Sequence, residues 1–242
     1  PSRAIREIGP IVAASLGAWL ATTLGPREAF LPMALLTALA IPMAWAIPTR
    51  AVENAAALAP RRFHISRPSN FNLYVFAVGL AGDGVFTVTI GLLFLKESTV
   101  ETAMLSAGAV IALRHALVMV ASPVGGLLAE RLGANRTLFL ASLAMVGGFA
   151  LVPLGMIHAG ALLMLVGRGI LAVVAPIIVA RRIKDNALQA LSANATWADL
   201  GAAIGPLLAG LGIGLISLEL LYAGLAGLLL VLLLLWAATE RD

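Results

Sequence analysis

Eight apolar stretches, each near or above the roughly 20 residues that carry a helix across a bilayer, constrain this chain more than any other feature. They run Ile5–Leu24, Ala29–Ile47, Phe71–Leu95, Thr102–Leu128, Thr137–Ile157, Ala161–Ala180, Ala187–Leu211 and Leu218–Ala237. Of the 242 residues 61% are hydrophobic and 12% charged. A soluble domain carries about 25% charged and about 45–50% apolar residues. The expected class is therefore an all-α, polytopic membrane helix bundle, and counting soluble domains by length does not apply. The absence of cysteine excludes disulfides, zinc–cysteine sites and iron–sulfur clusters. No P-loop is present, which argues against ATP as the driving force. His64, His115 and His158 fall in a loop, a span and the opposite loop, so no metal cluster is expected. With no catalytic constellation either, neither an enzyme nor a cofactor is expected, and the net charge of +4 is not read as nucleic-acid binding.

Most connections are short, as between antiparallel helices. Pro48–Asn70 is the exception, with Arg50, Arg61, Arg62, His64 and Arg67. It divides the chain into two spans (1–48), a linker (49–70) and six further spans (71–242). When spans alternate, Arg3, Arg6, Arg50, Arg61, Arg62, Arg67, Arg131, Arg136, Arg181, Arg182, Lys184 and Arg241 fall on one side, and Arg27 and Lys96 on the other. Basic residues gather on the cytoplasmic side of inner and plasma membranes. Both termini and the linker are therefore expected in the cytoplasm, with an even number of spans. Trp45 and Trp236 lie near cytoplasmic span ends, where interfacial aromatics and ordinary lipid-facing residues are both common.

Four ionisable residues lie deep in spans: Asp83, Arg114, Arg168 and Asp199. Each is about 12 to 14 residues from the cytoplasmic end, or ~18–21 Å at helical rise, so all share one level. Spans that bear charge face protein or a water-filled cavity. The second, fifth and eighth spans, free of charge within the membrane, are expected to face lipid. Two acids and two arginines can neutralise one another, either as a permanent packing device or as a network that opens when a proton or substrate binds. Asp83 and Asp199 are the candidate proton carriers. Arg114 and Arg168 are their candidate partners, or groups for an anionic substrate, because arginine keeps its charge. His115 points about 100° from Arg114 and is expected as a packed, hydrogen-bonded histidine.

The seventh span carries two faces. Asn194, Gly201, Gly205 and Gly212 fall on one, suited to close helix packing, and Asp199, Pro206 and Gly210 on the other. For Asn194 an interhelical hydrogen bond is expected. The segment Ile204–Gly210, with its Gly205-Pro206 pair, repeats Ile8–Ala14 of the first span, where the pair is Gly9-Pro10. Each copy is followed by a short loop with an acid, Glu28 or Glu219, and a charge-free span. A repeat six spans apart implies halves of six helices, with four spans expected ahead of Pro1.

Between the fourth and fifth spans, Gly126-Leu127-Leu128-Ala129-Glu130-Arg131-Leu132-Gly133-Ala134-Asn135-Arg136-Thr137-Leu138 resembles the cytoplasmic loop motif of the major facilitator superfamily, G-x-L-A-D-R-x-G-R-R-x-x-L. Gly126, Leu128, Ala129, Arg131, Gly133 and Leu138 match. Glu130 replaces the acid Asp. Ala134 and Asn135 replace two basic residues, with Arg136 next to them. Gly201, Gly205, Pro206, Ala209 and Gly210 are similar to the family's glycine–proline motif. The resemblance implies a secondary transporter of twelve helices, of which this chain holds the last eight. It also implies alternating access around a midplane site for a small-molecule substrate. It leans towards proton-coupled export, with uptake of a metabolite or organic anion as the alternative. A scaffold, a receptor or a lipid translocator on the same fold stays open. Read physically, Glu130 is expected just ahead of a helix N-terminus, where a carboxylate is favoured. Gly133 is expected in a tight turn, and Arg131 and Arg136 within reach of phosphates or carboxylates. The pseudo-symmetry of such transporters then suggests a closure latch between Glu130 and Arg3 or Arg6.

Overall fold

A computed structural model of the chain describes residues 2–39, 41–42, 45, 68–182 and 187–239, the side chains of 2–6, Ser122, Arg182, Ala187 and Leu188 excepted. The elements are helices, and among the described residues there is no strand. In chain order they are α1 (Ser2–Thr23), α2 (Phe30–Ala38), α3 (Asn70–Leu95), α4 (Val100–Arg131), α5 (Ala134–Leu151), α6 (Ile157–Arg182), α7 (Ala187–Ile213) and α8 (Leu218–Thr239). Six of them, α3 to α8, contain a stretch long and apolar enough to cross a membrane. Their outward faces stay apolar: Leu207, Leu211, Leu220, Val231, Leu234 and Leu235 are all exposed. An exposed surface of this kind is stable against hydrocarbon and not against water. The chain is a multi-pass membrane protein. Most of the linker 49–70 lies outside the described residues.

Polar side chains mark where helices begin. The Ser69 hydroxyl accepts from the amide of Asn72 at 3.2 Å, and Ser217 from that of Leu220 at 3.2 Å. Thr99 does the same for Thr102 at the start of α4. The turn between α5 and α6 corrects the expected span ends. Val152–Gly155 form the turn, and Ile157 opens α6 instead of closing the fifth span. Gly155 takes a φ of +79°, which ends the helix, while the apolar residues around it had made the run look continuous.

α3 is the most buried helix and packs against α4, α7 and α8; α6 packs against α4, α5 and α7, and α1 along α4. The α3–α7 contact is backbone on backbone. A Cβ on Gly201 would run into the carbonyl of Phe76 and the amide of Leu80. One on Gly205 would meet Gly84, and one on Gly79 would meet the carbonyl of Ala198. Close approach through small residues is the usual way membrane helices gain dispersion contact without a hydrophobic driving force. At the middle of this contact the helix widens: Gly79–Val85 is wound as a π-helix. Tyr74 donates to Ser142 at 2.5 Å, joining α3 to α5, and Thr89 shares a 2.8 Å hydrogen bond with Tyr222 of α8.

Candidate functional site

The π-helical segment of α3 carries Asp83, the only acid among Gly79–Val85. Such segments insert an extra residue into the turn and re-aim the side chains on it. Here the re-aimed carboxylate meets two arginines from two other helices. Arg168 of α6 forks onto it, Nε donating to Oδ1 at 3.0 Å and Nη2 to Oδ2 at 2.6 Å. Arg114 of α4 donates through Nη2 to Oδ1 at 2.6 Å and through Nη1 to the Thr87 hydroxyl at 2.9 Å. The side chains of Asp83, Arg114 and Arg168 are only 14%, 19% and 20% exposed. One carboxylate thus ties three membrane helices together. Two-oxygen acceptance from a planar guanidinium is the strongest form such a contact takes.

One acid against two arginines leaves a positive charge over. A further acid lies near it. Glu7 of α1 places Oε2 at 2.8 Å from Nδ1 of His115, the residue after Arg114, and interacts electrostatically with Arg114 itself. An Nδ1–H at that distance donates to the carboxylate. His115 is therefore the hydrogen-bonded histidine that its position suggested. Glu7 is not among the sequence-derived candidates; it lies only a few residues inside the first apolar stretch, well short, by residue count, of the depth shared by Asp83, Arg114 and Arg168. Asp83 and Glu7 are thus the two acids set against Arg114 and Arg168.

Asp199 is placed differently from the expectation. It does not join the arginines, and among the described residues it makes no ion pair. It is exposed and lines a cavity of about 210 Å³ between α3, α6 and α7. Arg168 and Tyr74 line the same cavity. The expected two acid–arginine pairs are replaced by one acid holding both arginines, because the π-turn of α3 brings both Asp83 oxygens within reach. Arg168 is the link between the two acids: it is bound to Asp83 and forms part of the wall that Asp199 shares.

Asn194, also in this wall, is buried, but among the described residues its Oδ1 has no partner, so this oxygen does not make the expected interhelical hydrogen bond with any of them. Its neighbours on the packing face, Gly201 and Gly205, are buried against α3, whereas Pro206 and Gly210 are exposed. In the other copy of the repeat, Gly9 and Pro10 are exposed on α1, and a Cβ on Gly9 would meet nothing within 4 Å. The two copies thus differ in packing among the described residues.

In the loop between α4 and α5, Gly133 takes a φ of +88°, the conformation expected of its tight turn. Gly126 is half-buried in α4. Glu130 corrects its expectation. It sits in the last turn of α4, where the helix dipole favours the neighbouring Arg131 and not a carboxylate. The N-cap position of α5 is taken by Gly133, and no side chain caps the helix there. Glu130, Arg131 and Arg136 are exposed. The side chains of Arg3 and Arg6, the expected latch partners, lie outside the described residues. No family model, curated protein or solved structure matches the chain.

Proposed function

We propose that the chain is part of a secondary active transporter of the major facilitator type, working by alternating access in a cell membrane and coupled to protons. The observation that carries the reading is the pair of acids on either side of Arg168: Asp83 bound to it, and Asp199 in the adjoining cavity with no ion pair among the described residues. Ionisable groups inside membrane spans are costly and mark ion or substrate pathways. Arg168 cannot relay a proton, but it can exchange carboxylates. While it holds Asp83, Asp199 is free to take a proton. Turning towards a deprotonated Asp199, it releases Asp83. Each exchange changes which helices are tied together, as alternating access requires. Export of small molecules remains the favoured direction. An organic-anion substrate loses support, because the arginines that would bind it are engaged by Asp83 and Thr87. In this reading the arginine-rich end, with Arg131, Arg136 and Arg181, faces the cytoplasm.

The test is proton movement in proteoliposomes, followed by an internal pH-sensitive dye on addition of a panel of lipophilic amines. Asp199→Asn is expected to abolish substrate-induced proton flux while the melting curve stays that of the parent. Unchanged proton flux in this variant would exclude Asp199 as the carrier. Flux absent under every compound when the chain is reconstituted within its full-length protein would favour a non-transporting scaffold.

A further inference from the structure

Away from the buried charges, a second site lies at the arginine-rich end of the bundle, outside the transport reading and independent of it. Arg136 of α5 and Arg181 of α6 line one recess of about 500 Å³, floored by Gly133 and Ala134 at the start of α5. Both arginines are exposed, and among the described residues neither makes an ion pair. The first amides of α5 have no side-chain cap, so they add donors and the positive end of the helix dipole to the same recess. Among the described residues no acid lines it, and Glu130, the acid nearest to Arg136 in sequence, stands in the last turn of α4.

The recess continues outward. Arg136 also lines an adjoining groove of about 340 Å³ whose other walls are Phe139 and Leu140 of α5 and Trp236 and Ala237 of α8. Leu140 is 56% exposed, so this groove opens on the apolar outer face. Trp236 supplies the second, independent observation. It is 3% exposed, yet among the described residues its indole Nε1–H has no acceptor. A buried donor left without a partner is destabilising, so an acceptor from outside the chain is favoured there.

We propose that this paired recess and groove bind an anionic glycerophospholipid. The phosphate sits between Arg136 and Arg181 over the start of α5. An acyl chain lies along Phe139 and Leu140, and an ester carbonyl accepts from Trp236. Charge complementarity selects an anion, and the apolar groove joined to it selects a lipid over a soluble phosphate. Basic pockets between membrane helices recognise acidic headgroups in this way.

The experiment is native mass spectrometry of the purified chain, titrated with phosphatidylglycerol or with phosphatidylcholine of the same acyl chains. Phosphatidylglycerol is expected to be retained selectively. Arg136→Gln with Arg181→Gln should weaken its retention about thirtyfold, at the usual contribution of an arginine near an anionic headgroup. The corresponding double lysine variant should keep most of it, which separates loss of charge from loss of fold. Arg27→Gln, which removes one positive charge at the opposite end, should have no effect. Trp236→Phe keeps the ring beside Phe71 and Tyr74 and should weaken retention about threefold to tenfold, the range of one lost hydrogen bond. Equal retention of the two lipids would overturn the proposal, as would parental binding by the double glutamine variant. Displacement of phosphatidylglycerol by tripolyphosphate at equal concentration would assign the recess to a soluble anion instead.

Discussion

Asp83 and Asp199 are the same residue type at a similar depth, and their surroundings give them opposite consequences. Asp83 is the acid bound to both Arg114 and Arg168. Asp83→Asn would leave two buried guanidinium groups facing each other without it. Removing one partner of a buried ion pair costs about 3–5 kcal/mol, and that loss is expected when unfolding is followed in bicelles. Asp199→Asn removes no ion pair among the described residues, and its stability should change by no more than about 0.5 kcal/mol. Parental stability in Asp83→Asn would mean that the arginines are balanced elsewhere. Glu7 and His115 make a second cross-helix contact, between α1 and α4. A double-mutant cycle with Glu7→Gln and His115→Asn should return a coupling of about 0.5–3 kcal/mol; additivity would dissolve the contact. The common depth of Asp83, Arg114 and Arg168 could be read from their distance to the span ends. Which acid takes which arginine could not, because that depends on the winding of α3 around Asp83. Glu7 was legible in principle, since an acid inside an apolar stretch needs a partner wherever it stands.

At the scale of elements, glycine decides which helices touch. The spacing of Asn194, Gly201 and Gly205 marked one packing face of α7, and the structure puts that face against α3. The widened π-turn that receives it had no signature beyond the three glycines Gly79, Gly82 and Gly84. Glycines of that kind fit an ordinary pliable helix equally well. Nor could the sequence locate the end of α5, because the turn after it is as apolar as the helices. The α3–α7 contact has a direct test. In Gly201→Ala the new methyl meets main-chain atoms of Phe76 and Leu80, which cannot rotate away. The helices must part, at about 1–3 kcal/mol. Gly210→Ala places its methyl in open space on the same helix. There the gain in helix propensity should leave stability unchanged or raised by up to about 1 kcal/mol. Thermal unfolding in detergent distinguishes the two, and equal midpoints would show that α3 and α7 are not in backbone contact.

For the whole molecule, the distribution of charge between the two ends is as informative as the buried network. Arg131, Arg136 and Arg181 stand at one end of the bundle. At the other, Lys96 pairs with Glu219, joining the α3–α4 turn to the start of α8. That exposed pair contributes about 0–1 kcal/mol at most, so it does not by itself hold the bundle closed. Its value is as a marker of orientation. Basic residues near span ends are retained on the cytoplasmic side, while acids contribute little. The excess of arginine at the Arg136 end is therefore what the proposed cytoplasmic placement of that end rests on. The chain has no cysteine, so single cysteines can be introduced without background. Ser98→Cys, in the turn beside Lys96, and Asn135→Cys, beside Arg136, lie at opposite ends of the helix hairpin. In intact cells a membrane-impermeant maleimide is expected to label Ser98→Cys, and to reach Asn135→Cys only after the membrane is opened. Labelling of both from outside would contradict the antiparallel crossing of α3, α4 and α5. The reverse pattern would keep the six-helix bundle but invert it, and would place the arginine recess, with its proposed lipid, in the outer leaflet.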